Sequence, residues 1–197
     1  MFRSGIMALT LAISVSLLAA CSHQEDKMQA QLDSIRTLVK QSALMAAQAV
    51  CSAPESRPDM IKASVTMLRR AMGGPEMEMI HKMMGQMPDS NNESTAMKPG
   101  MSGDMDHGNA AHMQMHVAIH DAGEDVFELL DALGGSKPPT CADVQAVQLA
   151  ASAALMREWH GPDMQRIQQQ LDKRSTHFIS PKLPDTVQQL AQALGRI

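Results

Sequence analysis

Apolar positions recur along the chain with the alternating three- and four-residue spacing that is typical of α-helices. The first stripe, within residues 25–52, consists of Met28, Leu32, Ile35, Val39, Ser42, Ala46 and Ala49. Side chains three and four residues apart share one face of a helix. The stripe therefore predicts one long helix with this face in the core, and Pro54 and Pro58 mark its end.

Proline and glycine divide the remaining chain into further helices. The second begins at a Ser56 or Arg57 cap with Pro58 in its first turn, and it ends at Gly73-Gly74-Pro75. A capping-box pattern, Thr140 to Asp143, precedes a later helix. The other predicted helices cover residues 76–87, about 111–133, 140 to about 160, a segment through Met164, Ile167 and Leu171, and 184–194.

Residues 88–111 have a different composition from the helical segments. Pro, Gly, Ser, Asn and Asp dominate, without Leu, Ile, Val or aromatic residues, which is typical of a flexible linker. The predicted fold is all-α, a bundle of about four main helices with a disordered Met/His-rich linker in the middle. Its predicted parts are a leader at 1–20, helical halves at 21–87 and 112–197, and the linker at 88–111.

The composition excludes several classes of protein. The 197 residues include 19 Met but only three Phe, one Trp and no Tyr, so a β-sandwich is disfavoured. A net charge of −4 without a Lys/Arg-rich patch argues against nucleic acid as a partner. No Ser-His-Asp, paired-carboxylate or phosphate-loop pattern occurs, and we therefore expect a protein that is not an enzyme. The sequence lacks the C-x-x-C-H motif of a haem protein, and it contains only one Glu-x-x-His, Glu78 to His81, where a di-iron bundle uses two.

The first twenty residues have the pattern of a secretion signal. Arg3 precedes an apolar stretch, residues 6–20, that is too short for a permanent membrane anchor. It ends in Leu18-Ala19-Ala20-Cys21, which resembles the lipobox of bacterial lipoproteins. The resemblance implies cleavage before Cys21, lipidation of its sulfur and attachment to a membrane. With Ser22 next, it implies the outer membrane of a Gram-negative bacterium, on the side facing the periplasm.

Two further cysteines, Cys51 and Cys141, remain after such cleavage. In an oxidising compartment a pair of cysteines usually forms a disulfide, and we expect one here, closing a loop of about 90 residues. Two free buried thiols and a pair of soft-metal ligands are the competing interpretations. A C-x-x-C motif is absent, which disfavours a redox motif or a zinc finger.

Methionine and histidine concentrate in the same third of the chain. Thirteen of the 19 methionines lie between Met60 and His116, and five of the eight histidines lie between His81 and His120. Thioether sulfur favours soft ions such as Cu(I) and Ag(I), while imidazole also binds Cu(II). Thioethers are stable where thiols are oxidised, so this composition indicates copper, or silver, in the periplasm.

Three groups of candidate ligands follow from the spacing. The linker repeats methionine every fourth residue and then reaches Asp106-His107, which resembles the Met-rich segments of periplasmic copper-resistance proteins related to multicopper oxidases. His112, His116 and His120 are four residues apart and share one helix face, with Met115 beside them. The third group lies in residues 77–87. The predicted metal ligands are Met97, Met101, Met105, His107, His112, Met115, His116, His120, His81 and Met84.

The methionines also have two explanations without a metal. Methionine fills irregular cores, and a Met-rich face adapts to varied partners. The sequence therefore predicts a lipid-anchored protein that binds copper for sequestration, tolerance or delivery. The alternative is a structural helical lipoprotein that docks an envelope protein through a Met-rich surface.

Overall fold

A computed structural model describes the backbone of residues 5–85, 105–157, 162–178 and 183–197. Side chains are described for residues 26–84, 110–157, 165–174 and 183–197. The described chain is all-α, which confirms the predicted fold class. Its helices are α1 (Gly5–Cys51), α2 (Arg57–Gly73), α3 (Pro75–Gly85), α4 (Met105–Ala132), α5 (Gln145–Met156), α6 (Pro162–Phe178) and α7 (Asp185–Arg196).

Helix α1 is the centre of the bundle. It packs against α2, α3, α4 and α5, while α7 covers α4 and α5, and α6 lies on α5. All seven positions of the predicted α1 stripe, from Met28 to Ala49, are buried. Further buried stripes come from α5 and α7, where Val147, Leu190 and Leu194 are fully enclosed. Apolar burial of these faces is the main force that holds the helices together.

Small polar residues allow α1 and α2 to lie close together. The Ser42 hydroxyl donates to the Ser64 carbonyl at 2.9 Å, and the Ser64 hydroxyl donates to the Ser42 carbonyl at the same distance. Both side chains are fully buried. The reciprocal bonds satisfy both hydroxyls, so this polar contact inside the core leaves neither donor unpaired.

A buried lysine connects α1 to α5. Lys40 is 1% exposed, and its ammonium group donates to the carbonyl of Ala154 at 3.1 Å. The carbonyl lies near the end of α5, where the helix dipole is negative, so the cation is favourably placed. The apolar stripe of α1 did not predict this burial.

A disulfide ties the end of α1 to the turn before α5. The Sγ atoms of Cys51 and Cys141 are 2.10 Å apart, and their Cα atoms are 4.8 Å apart. The predicted pairing is thereby confirmed against free thiols and soft-metal ligands. The bridge spans 90 residues of sequence, so it constrains the unfolded chain strongly.

The breaks predicted from proline and glycine are largely confirmed, but several helix boundaries differ. Gly73-Gly74-Pro75 separates α2 from α3 as expected. Thr140 and Asp143 form the reciprocal bonds of the capping box, at 2.7 and 3.3 Å, but they close a turn and the helix begins only at Gln145. Helix α4 begins at Met105 rather than near Ala111, because a strongly periodic helix can extend through weak helix formers. Residues 86–104, most of the predicted linker, lie outside the described part.

The predicted helical bundle agrees with this architecture, and its helices range from 47 residues in α1 to 11 in α3. Within the described residues, no helix is long and apolar enough to cross a membrane.

Candidate functional site

The structure brings His81 of α3 into contact with His116 of α4. Their Nε2 atoms are 3.2 Å apart, and the rings meet edge to face, with centroids 5.2 Å apart and planes at 74°. Helix α3 and helix α4 each pack on α1 and α2. The two imidazoles therefore meet across the edge where the helices converge. In the metal-free protein one ring donates and the other accepts, so at least one imidazole is neutral.

Two more histidines of α4 flank this pair. The ring of His120 lies 5.7 Å from that of His116, and its Nδ1 is 3.6 Å from a carboxylate oxygen of Glu124. On the other side, the Nδ1 of His112 is buried and has no hydrogen-bond partner among the residues whose side chains the structure describes. A buried ring nitrogen without a partner is unfavourable for the fold alone, which makes His112 a candidate ligand.

The electrostatic surroundings favour the neutral form of His116. Partial burial lowers the pKa of this imidazole below its ordinary value of 6.5, and the adjacent His81 and His120 lower it further. A neutral imidazole has a free lone pair, the form in which histidine binds a metal ion. His116 is therefore prepared to act as a ligand near neutral pH.

The row of α4 histidines lies at the edge of the core rather than inside it. Gly123, Phe127 and Leu130 follow the histidines at helical spacing, which would carry this face into the interior. Phe127 is instead 41% exposed, whereas Gly123 is buried and Leu130 is partly buried. The face points along the boundary between core and solvent because the buried side of α4, through Ile119 and Val126, is rotated away from it.

The methionines of the site differ in their surroundings. Met77 is 1% exposed and belongs to the core, as the packing interpretation predicts. Met84 and Met115 are partly buried against the core, and Met79 is 43% exposed. Packing therefore explains Met77 but not Met79.

The predicted ligands fall into two sets. His81, His112, His116 and His120 lie along the α3–α4 edge, which we call the histidine edge, and Met84 and Met115 belong to the same two helices. Met97 and Met101 lie outside the described residues. For Met105 and His107 only the helical backbone is described. Among the residues whose side chains are described, no group of three or more His, Cys, Asp or Glu side chains is arranged to hold a metal ion.

One groove elsewhere was not predicted from the sequence. It has a volume of about 560 Å³ and lies beside α1, lined in part by Arg36, Arg70 and Arg157. Each guanidinium is within 3.3 Å of a carboxylate, which offsets its charge. The groove is therefore a weaker candidate for a ligand than the histidine edge.

Comparison with known proteins adds no relative to these observations: the chain matches no protein-family model, no curated protein and no solved structure.

Proposed function

We propose that this protein binds copper, or silver, through histidine and methionine and serves in sequestration, tolerance or delivery of the metal. The observation that carries the proposal is the 3.2 Å separation of the Nε2 atoms of His81 and His116. Two nitrogen ligands bound to one tetrahedral ion, each about 2.0 Å from it, lie about 3.3 Å apart. The pair therefore has the spacing that a shared ion requires.

The flanking residues supply the chemistry for further coordination. His112 has an unused buried nitrogen, and His120 lies beside His116. Imidazole binds both Cu(I) and Cu(II), while the thioethers of Met84 and Met115 favour Cu(I) and Ag(I). The linker group, Met97, Met101, Met105 and His107, would add soft ligands on the chain that joins α3 to α4.

The proposed location follows from the leader rather than from the helices. If the lipobox at Cys21 is processed, lipid chains hold the protein on the periplasmic face of the outer membrane. Such a protein meets metal ions before they reach the cytoplasm. The Cys51–Cys141 disulfide is compatible with an oxidising compartment.

Metal titration of the mature chain tests the proposal. We expect Cu(I) and Ag(I) to bind with a stoichiometry of at least one. The double variant His81→Ala/His116→Ala should lose the site at the histidine edge, whereas the control His177→Ala, on α6, should bind as the unaltered chain does. Failure of the unaltered chain to bind copper or silver would refute the proposal.

A second function is supported by exposed apolar side chains near the same edge. Met79 on α3 and Met113 and Val117 on α4 are 43%, 48% and 50% exposed. A Met-rich surface of this kind suits an adaptable contact with an envelope protein. This alternative predicts that copper leaves the chain unchanged, and that Met79→Lys together with Met113→Lys abolishes recovery of a defined partner.

A further inference from the structure

A glycine on α4 opens a space that a methionine of α2 fills. Gly123 is buried, and a Cβ atom at this position would lie 2.5 Å from Sδ and 2.9 Å from Cε of Met72. Such distances are far shorter than a van der Waals contact. Only the absence of a side chain at residue 123 therefore lets the thioether of Met72 reach the surface of α4.

This contact lies on the helix face that carries the histidines. Gly123 follows His120 by three residues and His116 by seven, and these spacings share one side of a helix. Met72 is in the last turn of α2, and α3 with His81 begins at Pro75, directly after it. The thioether therefore approaches α4 within about one helical turn of His120, roughly 5 Å along the axis.

Met72 has the properties of a ligand that can still move. It is only partly buried, and the sulfur and methyl group that touch Gly123 are the far end of a flexible side chain. A thioether needs no deprotonation and prefers soft monovalent ions. The histidines alone would bind Cu(II) or Zn(II) as readily as Cu(I). A sulfur ligand from α2 would therefore bias the site toward Cu(I) and Ag(I).

We propose that Met72, admitted by Gly123, is a thioether ligand at the His120 end of the histidine edge and confers a preference for monovalent soft ions there. The proposal rests on the copper-binding function proposed above and names a ligand from a third helix, α2. The sequence placed Met72 in the apolar stripe of α2, and only the contact with Gly123 distinguishes it from a packing residue.

The first experiment replaces the sulfur and leaves the volume nearly unchanged. Met72→Leu should weaken Cu(I) binding by about tenfold, the scale of effect that groups around a metal ion have. Zn(II) affinity should change less than twofold. The matched control is Met67→Leu, a partly buried methionine of the same helix about 140° away around the axis. Affinities are measured by competition with chromophoric chelators, and equal Cu(I) affinity of both variants would overturn the proposal.

The second experiment moves the sulfur without altering it. Gly123→Ala places a methyl group where the Met72 sulfur lies, and the flexible end of Met72 must move away. Alanine favours the helix, so the variant is expected to fold. Gly73→Ala is the control, because a Cβ there meets no atom within 4 Å. Gly123→Ala should weaken Cu(I) binding as Met72→Leu does, and the double variant should lose no more than either single one.

The NMR signal of the Met72 methyl group distinguishes the copper-binding function from the role of Met72 as a ligand. With the methionine methyl groups labelled with ¹³C, stoichiometric Ag(I) should shift the Met72 resonance, assigned from its loss in Met72→Leu. If the unaltered chain binds neither Cu(I) nor Ag(I), both the copper-binding function and this ligand are refuted. If it binds and the Met72 resonance stays in place, the function survives and Met72 is refuted as a ligand.

Discussion

Helices α1, α5 and α7 meet through small apolar side chains, whereas α3 and α4 approach one another through imidazoles. In the first region Val39, Val147 and Leu190 are fully buried, and α5 adds a series of enclosed alanines. In the second region His81 is exposed, His116 is half-buried, and the Nδ1 of His112 has no hydrogen-bond partner among the described residues. The first contact consists of apolar packing, whereas the second joins polar rings at the edge of the core.

The difference shows how one periodicity serves two purposes. Residues four apart form a row on a helix face whatever their chemistry. Burial of an apolar row stabilises the folded chain by removing apolar surface from water, and it requires no partner of a specific type. An imidazole row at a boundary gains little from burial, because its nitrogens require hydrogen bonds or a ligand. The apolar rows therefore maintain the fold, and the histidine row is available for binding.

The largest expected effect is a difference in how much a truncation in each region lowers the free energy of unfolding. Leu190→Ala in α7 should lower the free energy of unfolding by about 3 kcal/mol, since it leaves a cavity in a fully buried position. His116→Ala should lower it by less than about 1 kcal/mol, because it removes one exposed-edge hydrogen bond. Urea unfolding of the metal-free protein measures both values. Ile167→Ala, at a residue 37% exposed on α6, is the control for truncation outside the core.

Equal destabilisation by Leu190→Ala and His116→Ala would contradict the comparison. It would mean that the α3–α4 edge is part of the cooperative core. The histidine row would then be better explained as packing, and the case for a binding site would weaken.

The sequence predicted the first region in far more detail than the second. The α1 stripe from Met28 to Ala49 was identified position by position because burial follows a helix's own period. The Cys51–Cys141 pair was predictable because these are the only two cysteines after Cys21 in the sequence. Lys40 was missed, since a lysine within an apolar stripe is expected to reach solvent.

The contact between His81 and His116 could not be derived from spacing. The residues are 35 apart and separated by a segment without helical periodicity, so no pattern relates their orientations. Each was a candidate for the chemistry of its own side chain. The same is true of Met72 and Gly123, which become neighbours only because α2 packs on α4.

Metal binding should stabilise the second region and leave the first unchanged. An ion that binds only the folded chain adds about 2.7 kcal/mol at a concentration one hundred times its Kd. For a protein of this size that corresponds to an increase in Tm of roughly 5–10 °C. We expect this shift with Ag(I) in differential scanning calorimetry. It should disappear in His81→Ala/His116→Ala and persist in Leu190→Ala, which lowers the starting Tm but keeps the ligands.

The smallest effect concerns the carboxylates on the other side of α4, where it faces α7. Partial burial raises the pKa of Asp125, and the nearby carboxylate of Glu128 raises it further. The folded chain therefore binds this proton more tightly than the unfolded chain, so the ionised carboxylate destabilises the fold above its folded pKa. Asp125→Asn should stabilise the protein at pH 7 by about 0.5 kcal/mol, the scale of like-charge pairs on a helix.

The pH dependence distinguishes charge from packing as the cause. As the pH falls through the folded pKa of Asp125 to below its ordinary value of 3.8, the carboxyl group becomes neutral in both states. The advantage of Asp125→Asn should therefore vanish by pH 3 in thermal unfolding. Asp131→Asn, at an exposed position of the same helix, should change stability less at either pH. An equal advantage of Asp125→Asn at both pH values would show that the amide packs better against α7 and that charge repulsion is not the cause.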